Sequence, residues 1–242
     1  MKPLISVIIP AYNEEKLIGK CLDALDKQTF PKDKYEVIVV DNNSTDDTSK
    51  IAKNHGVILL EYKKMNRVGA VRQYGASQSK GSVLAFMDAD SLPDPSWLSS
   101  IDRLLVREKN VVAVCGVALP LNDPFFIGLG FHIYNQLSRI NQIFGVVLPW
   151  GCNFAIKKYA FDKIGGYNLS FDTYDDAEMG LKIKKRFGRK SIIYSQELKV
   201  YTSTRKHENS KIFGLYVLDN VKNYLNVVVL KREKTVKIRN IR

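Results

Sequence analysis

Short apolar runs alternate with segments of helical periodicity through the first 120 residues. The runs predict five strands, at residues 5–10, 35–41, 57–62, 83–87 and 111–119. Between the first two strands, apolar residues recur at helical spacing, namely Leu17, Ile18, Cys21, Leu22 and Leu25. Because the strands are apolar throughout and helices separate them, the pattern predicts a parallel sheet that is covered on both faces. A second helix is expected after the second strand, with Ser44 or Thr45 as its cap.

The second half of the chain has a less regular pattern. Residues 125–150 are largely apolar but include Arg139, His132 and several side-chain amides. This composition favours a core or interfacial segment over a membrane span. Three further strands are predicted, near residues 153–158, 191–195 and 198–203. One helix is predicted, from Asp175 to Phe187.

The composition of the chain limits which classes of binding partner and which cellular compartment are expected. The 37 basic and 25 acidic residues leave a net charge of +12, which favours an anionic partner: a nucleic acid, a membrane surface or a phosphorylated substrate. No aromatic-basic motif of nucleic-acid binders is present, so nucleic acid is not expected. The isolated Cys21, Cys115 and Cys152 form no CxxC pair, and the first apolar run is too short for a signal peptide. We therefore expect a reducing, cytoplasmic location.

Polar residues follow three of the predicted strands, where ligands bind in open parallel sheets. They are Pro10, Tyr12, Asn13 and Glu14 after the first, Asp41, Asn42 and Asn43 after the second, and Asp88, Ala89 and Asp90 after the fourth. Two carboxylates at a buried strand end repel each other unless a cation lies beside them, and Mg²⁺ or Mn²⁺ prefers such oxygen ligands together with substrate phosphates. The pattern predicts a divalent metal at Asp88 and Asp90, although loop aspartates also serve only to cap turns. Neither GxGxxG nor GxxxxGK[ST] occurs, which argues against a dinucleotide or P-loop site.

Five motifs, taken in order, resemble the family 2 glycosyltransferases of GT-A fold. They are VIIPAYNEE, VIVVDNNSTDDT, VRQYGASQSKGSVLAFMDADS, GCNFAIKKYAFDKIGGYN and YDDAEMGLKIKKRFG. The resemblance covers roughly residues 3–205. It implies an α/β fold with a Rossmann-like, mostly parallel central sheet and helices on both faces. It also implies one domain over residues 1–242, with a nucleotide-sugar-binding half at 1–120 and a less regular acceptor-binding half at 121–242.

The resemblance also implies roles for individual residues. Asp41 would contact the nucleotide base, Arg72 the nucleotide, Asp88 the ribose or diphosphate, and Asp90 an Mn²⁺ or Mg²⁺ ion. The remaining members of the expected nucleotide-sugar-binding set are Pro10, Tyr12, Glu14, Asn43 and Ala89.

The expected reaction is inverting transfer of a sugar from a UDP- or GDP-linked donor to a hydroxyl of a glycan or lipid-linked acceptor. The metal would stabilise the leaving group, and a carboxylate of the acid-rich helix, Asp176 or else Asp175, would act as general base. These aspartates could instead only favour the N-terminus of their helix. Trp150, Arg205 and His207 are further candidates for contacts with the acceptor or the diphosphate.

The motifs depart from the family pattern at four points, the first of which is that the ED pair of the acid-rich helix reads Asp175-Asp176 here. Gln73 stands where the common pattern has asparagine, and Leu92 stands where polyprenol-phosphate mannose synthases often have glutamine. The QxxRW motif of processive synthases is absent, with TSTRKHE near its place, so a non-processive enzyme is expected. Two alternatives are a nucleotidyltransferase, which would need a glycine-rich basic first loop, and a non-catalytic nucleotide-sugar-binding module.

The end of the sequence is basic. Residues 231–242 carry six positive charges, and the preceding residues 212–230 are apolar at many positions but interrupted by Asp219 and Lys222. This pattern favours an interfacial amphipathic helix and peripheral association with an anionic membrane, at its cytoplasmic face. A solvated basic tail, or a linker into a membrane domain, is the alternative.

Overall fold

The computed structural model describes residues 4–64, 67–106, 108–122, 125–143, 147, 149–169 and 175–205. The strands are β1 Ile5–Ala11, β2 Tyr35–Asp41, β3 Ile58–Glu61, β4 Val83–Phe86, β5 Ser91–Pro93, β6 Ala113–Pro120, β7 Phe154–Lys157 and β8 Ile192–Thr202. The helices are α1 Ile18–Asp26, α2 Thr48–Asn54, α3 Val68–Gln78, α4 Trp97–Val106, α5 Phe125–Ile143, α6 Lys158–Lys163 and α7 Asp175–Phe187, with a 3₁₀ turn at Lys32–Lys34.

All these strands belong to one sheet, in the order β3-β2-β1-β4-β7-β6-β8-β5. Strands β1 to β4 pair in parallel, and β6 pairs in parallel with β8. Strand β7 lies antiparallel between β4 and β6, and β5 lies antiparallel to β8 at the edge. Six of the eight strands therefore run in one direction, which confirms the predicted α/β fold with a mostly parallel central sheet.

Strand β1 shows how both faces of the sheet are covered. Ile5, Val7 and Ile9 pack into one hydrophobic core, whereas Ile8 packs into a second core on the opposite face. All four side chains are fully buried. Since successive side chains of a strand point to opposite faces, a strand between two cores is apolar on both faces, and the buried polar side chain of β1, Ser6, donates to Glu36 Oε1. Trp97, which the sequence places in the core, is also fully buried.

The strand predicted at 57–62 is confirmed as β3, but it lies at the edge of the sheet and is not covered on both faces, since Ile58 remains 39% exposed. One local expectation in the first half is wrong. Helix α2 is not capped by Ser44 or Thr45, because Ser44 instead hydrogen-bonds Asp41 through its hydroxyl. The helix starts at Thr48, whose backbone N–H donates to Asp46 Oδ1 at 3.0 Å.

The apolar stretch of the second half forms helix α5, which the sequence pattern does not identify as a helix. Among the described residues, no helix is long and apolar enough to cross a bilayer. The two strands expected at 191–195 and 198–203 form the single strand β8, whose register against β6 shifts between Gly116 and Val117. The predicted membrane-binding tail falls in residues 206–242, outside the described part of the chain.

Asn153, the residue just before β7, bridges β6 and β8 where their pairing is irregular. Its side-chain amide donates to the carbonyl oxygens of Val117 and Leu198, each at 2.9 Å, and its Oδ1 accepts from Trp97 Nε1 at 2.9 Å. The residue is 1% exposed. The register between β6 and β8 shifts here, so the regular pairing does not satisfy these two backbone carbonyl groups. The Asn153 amide donates to them instead.

We expect Asn153→Ala to destabilise the protein by roughly 3 kcal/mol, because three buried polar groups lose their partner. Urea unfolding followed by circular dichroism measures the change. Asn110→Ala at an exposed position is the matched control, expected within about 0.5 kcal/mol of the parent. Equal stability of the two variants would contradict the role given to Asn153.

Candidate active site

The carboxyl ends of β1, β2 and β4 meet at one edge of the sheet. Ala11 at the end of β1 pairs with Asp41 at the end of β2, and Ile8 pairs with Phe86 at the end of β4. The predicted nucleotide-sugar residues lie in or directly after these strand ends, namely Pro10, Tyr12, Glu14, Asp41, Asn43, Asp88 and Ala89. The parallel topology thus brings residues that are up to 79 positions apart to the same edge.

The loops after β1 and β2 are bonded to each other. Asn13 Oδ1 accepts the backbone N–H of Thr45 at 2.8 Å, and the Glu14 N–H donates to Thr48 Oγ1 at 2.7 Å. Asn13 and Asn43 both have left-handed backbones, with φ of 53° and 64°. Asparagine tolerates this conformation better than most residues, which fits its presence at both turns.

Asp41 is a fixed, buried carboxylate at the end of β2. It is 6% exposed, and its Oδ2 accepts the hydroxyl of Ser49 at 2.7 Å. Its Oδ1 accepts the backbone N–H of Ser44 at 3.2 Å. These bonds hold the carboxylate in one orientation beside the loop of β1.

Arg72 of α3 joins two carboxylates that are distant in sequence. Its Nη2 donates to Asp88 Oδ1 at 2.7 Å, and its Nη1 lies 3.1 and 3.2 Å from the two carboxylate oxygens of Asp176. The arginine side chain is 4% exposed, whereas those of Asp88 and Asp176 are 39% and 20% exposed. One buried guanidinium therefore connects the end of β4 with the start of α7.

Tyr167 supports this pair and is a site residue that the sequence analysis missed. Its hydroxyl donates to Asp176 Oδ1 at 3.3 Å, and the Arg72 guanidinium lies 5.9 Å from its ring centroid. The Tyr167 N–H donates to Gln73 Oε1 at 3.0 Å. A β-carbon at Gly166 would lie 2.2 Å from that same oxygen. Two features of the sequence point to Tyr167. It belongs to the GGYN motif, and its backbone N–H bonds Gln73, the residue that departs from the common family pattern.

The turn before β7 packs directly against the ion pair. A β-carbon at Gly151 would lie 2.3 Å from Asp176 Oδ2 and 2.5 Å from Arg72 Nη2. Only glycine allows this approach without displacing a charged group. The preceding residue, Trp150, stacks on Phe131 of α5 with ring centroids 5.5 Å apart and planes 5° from parallel.

Arg205, after β8, is the second cation of the site. It forms an ion pair with Glu14, and its Nη2 lies 3.8 Å from Asp90 Oδ2. Asp90 and Glu14 are both buried, at 5% and 7% exposed. Arg205 thus connects the loops of β1 and β4 to the end of β8. His207 lies outside the described residues, as does the side chain of Asp175.

The site carries more negative than positive charge. Within the described part of the chain, the site holds five carboxylates and two guanidinium groups, a net charge of −3; the groups are Glu14, Asp41, Asp88, Asp90, Asp176, Arg72 and Arg205. Burial, followed by the negative charges of Asp90 and Asp88, raises the pKa of the nearby Cys21 thiol. This charge balance suits a divalent cation.

The possible protein ligands also fit a metal that is shared with a substrate. No group of three or more His, Cys, Asp or Glu side chains in the described ranges is arranged to hold a metal. Mg²⁺ and Mn²⁺ commonly use one or two carboxylates and take their remaining oxygens from water and substrate phosphates. Asp88 and Asp90 fit that donor set.

A surface hollow of about 730 Å³ lies elsewhere on the molecule. It is lined by Phe30, Asp94, Ser96, Ser99, Ser100, Asp102, Arg103, Gln196, Glu197 and Lys199. None of the predicted site residues lines it, so we do not assign donor binding to this hollow.

Comparisons with known proteins agree with this fold. The family model described as glycosyl transferase family 2 matches residues 6–165. Glycosyltransferase AglE of Haloferax volcanii is 42% identical over 125 residues, which cover 49% of this chain and 38% of that protein.

Two solved structures show the same fold. The mannosyltransferase PcManGT from Pyrobaculum calidifontis, in complex with GDP-Man and Mn²⁺, has a TM-score of 0.74 at 21% identity and matches 98% of this chain. Glucosyl-3-phosphoglycerate synthase from Mycobacterium tuberculosis, in complex with Mn²⁺, UDP and glucosyl-3-phosphoglycerate, has a TM-score of 0.66 at 18% identity over 90% of this chain. The chain spans 66% and 78% of these two proteins, and 38% of AglE.

We expect Gly151→Ala to destabilise the protein by roughly 2 kcal/mol, because the added methyl group overlaps the Arg72–Asp176 pair. Gly130→Ala is the matched control, since a β-carbon there meets nothing within 4 Å. It should stabilise α5 by roughly 0.5–1 kcal/mol. Thermal unfolding of both variants measures the difference, and a neutral Gly151→Ala would mean that the pair is not packed against this turn.

Proposed function

Because the chain belongs to glycosyl transferase family 2, we propose that it transfers a sugar, with inversion, from a nucleoside diphosphate donor to an acceptor hydroxyl. The donor is a UDP- or GDP-linked sugar and the acceptor is a glycan or a lipid-linked molecule. The observation that carries the proposal is the position of Arg72, which bonds Asp88 on the donor side and Asp176 on the acceptor side.

The donor binds at the joined loops after β1, β2 and β4 in this proposal. Asp41, held by two serines, contacts the base, and Asp88 contacts the ribose or diphosphate. Asp90 and Asp88 hold Mn²⁺ or Mg²⁺, which supplies Lewis-acid stabilisation of the diphosphate leaving group when it is bound. The complex of PcManGT with GDP-Man and Mn²⁺ supports this choice of donor class and metal.

Asp176 acts as the general base. The acceptor oxygen attacks the anomeric carbon, the bond from that carbon to the diphosphate oxygen breaks, and the hydroxyl proton passes to the Asp176 carboxylate. Arg72 and Tyr167 fix the orientation of the Asp176 carboxylate through their hydrogen bonds to it. Asp175 stays the alternative base.

Family membership favours sugar transfer over the nucleotidyltransferase alternative. The remaining alternative, a non-catalytic binding module, predicts donor affinity without turnover. Two experiments separate these functions, one on donor binding and one on chemistry.

In the first, calorimetry should show UDP or GDP binding that strengthens with Mn²⁺ and weakens by about tenfold or more when a chelator removes the metal. Asp90→Asn should lose the metal effect, because it removes a negative oxygen ligand. Asp102→Asn, on α4 away from the site, should bind like the parent. Equal affinity with Mn²⁺ and with chelator would refute metal-assisted binding.

In the second, Asp176→Asn should keep donor affinity within about threefold and lose turnover by about 100-fold or more, since an amide cannot accept the proton. Mass spectrometry of products from the donor that binds best measures the rate. Asp162→Asn, exposed on α6, controls for the loss of one acidic side chain. If the Asp176→Asn variant turned over at the normal rate, Asp176 would not be the general base and Asp175 would be assigned that role.

A further inference from the structure

The turn that follows α6 directs the Tyr167 hydroxyl at Asp176. The distance from this hydroxyl to Asp176 Oδ1 is 3.3 Å, which is long for a hydrogen bond between two oxygens. A bond of that length is lost when the hydroxyl moves away by about 0.3 Å. The effect of Tyr167 on the Asp176 carboxylate therefore depends on how closely the tyrosine is held in place.

Aromatic packing holds the ring of Tyr167 but leaves it some freedom of movement. The residue is 3% exposed, and its ring makes edge contacts with Phe86 and Phe161, at centroid distances of 5.4 and 5.9 Å. Ring pairs of this kind occur over centroid distances of about 4.5–7 Å, so they do not set a position to a few tenths of an ångström. The backbone that carries the ring must supply the rest of the constraint.

Two side chains hold that backbone at a single peptide group. Gln73 Oε1 accepts the Tyr167 N–H at 3.0 Å, and Lys182 Nζ donates to the Gly166 carbonyl at 2.7 Å. The Gly166 carbonyl and the Tyr167 N–H belong to the same peptide group, which is planar and rigid. Because this plane is bonded at its oxygen and at its nitrogen, it cannot tilt without breaking one of the two bonds. We call the two bonds the peptide clamp.

The peptide clamp connects the turn to both helices of the ion pair. Gln73 is the residue after Arg72 on α3, and Lys182 lies on α7, the helix that carries Asp176. The Tyr167 backbone is therefore positioned relative to the guanidinium and relative to the carboxylate at the same time. A turn that was bonded to only one of these helices could shift relative to the other.

The surroundings of the peptide clamp are fitted to its two bonds. Gly166 has a left-handed backbone with φ of 60°, and a β-carbon there would lie 2.2 Å from Gln73 Oε1, so any other residue would push the glutamine away. The Lys182 ammonium lies 3.6 Å from Glu178 Oε2, one helical turn earlier. The two side chains are 26% and 17% exposed. A lysine in this position has lost rotamer freedom that a solvated lysine retains.

We propose that Gln73 and Lys182 are positioning residues for the proton transfer. They fix the peptide group before Tyr167, and the Tyr167 hydroxyl then fixes the Asp176 carboxylate against the acceptor hydroxyl. This inference rests on the proposed role of Asp176 as general base. Gln73 and Lys182 lie outside the loops of β1, β2 and β4 that bind the donor in the proposed function. Their loss should therefore lower kcat and leave donor affinity unchanged.

Substitutions that remove each bond, paired with conservative ones, test the two residues. Gln73→Leu and Lys182→Met should each lower kcat by about tenfold, with UDP or GDP affinity within about twofold of the parent, because the base is misplaced while the donor loops are intact. Gln73→Glu keeps the acceptor oxygen and Lys182→Arg keeps the donors, so both should recover kcat to within about threefold of the parent. Lys185→Met, exposed on α7, is the control and should turn over normally.

Lack of recovery in the conservative variants would contradict the positioning role. A fall in nucleotide affinity as large as the fall in kcat would also contradict it, because such a result describes a general disturbance of the site.

A double-mutant cycle tests whether the peptide clamp acts through the tyrosine. Tyr167→Phe removes only the hydroxyl and should lower kcat by about tenfold. In that background, Gln73→Leu should lower kcat by no more than about twofold, because the hydrogen bond that it serves is already absent. Independent losses that multiply to about 100-fold would refute the proposal.

The Asp176→Asn variant separates failure of this inference from failure of its premise. Normal turnover of Asp176→Asn would remove the general base on which the inference rests. Impaired Asp176→Asn together with normal kcat of Gln73→Leu and Lys182→Met would overturn the positioning role and leave the proposed function intact.

Discussion

The candidate site depends on the buried guanidinium of Arg72. A buried cation is tolerated only when acidic partners and hydrogen bonds compensate its lost hydration. Asp88 and Asp176 supply that compensation from two different parts of the chain, 16 and 104 residues away. The end of β4 and the start of α7 must therefore both lie beside α3. This single requirement brings the donor side and the acceptor side of the proposed reaction together.

The groups around Arg72 follow from the same constraint. Gly151 must lack a side chain because its backbone lies against the ion pair, and Tyr167 must reach Asp176 from the far side. Gln73 Oε1 accepts the backbone N–H of Tyr167. An asparagine side chain is shorter, so it could form this bond only from a different backbone position. The departure from the common family pattern at this position is thus coupled to the local geometry of the loop before α7.

The strand ends of the first half could be predicted because their signal is local. A strand buried on both faces is apolar at most positions, so Asp41 and Asp88 stand out where the run stops. The contacts between elements of the second half cannot be predicted in this way, because no local residue pattern marks them. Strand β7 has four residues and pairs antiparallel between β4 and β6, and the Arg72–Asp176 bond joins residues that no sequence spacing relates.

The sequence pattern obscures helix α5, because its buried face carries Asn135 and Ser138 beside Ile127 and Phe131, while Leu129, Ile133, Leu137 and Ile140 are exposed. Because Asn135 and Tyr194 fix its rotation, Phe131 is directed inward, where it stacks on one face of Trp150. Tyr134 also contacts Trp150, with ring centroids 4.2 Å apart and planes tilted by 56°, so two aromatic rings already pack against this candidate acceptor residue. Trp150 precedes the glycine that abuts Asp176. The rotation of α5 and the proposed catalytic base are thus connected through one helix and two stacked rings, because the turn that packs against Asp176 follows directly after the stacked Trp150.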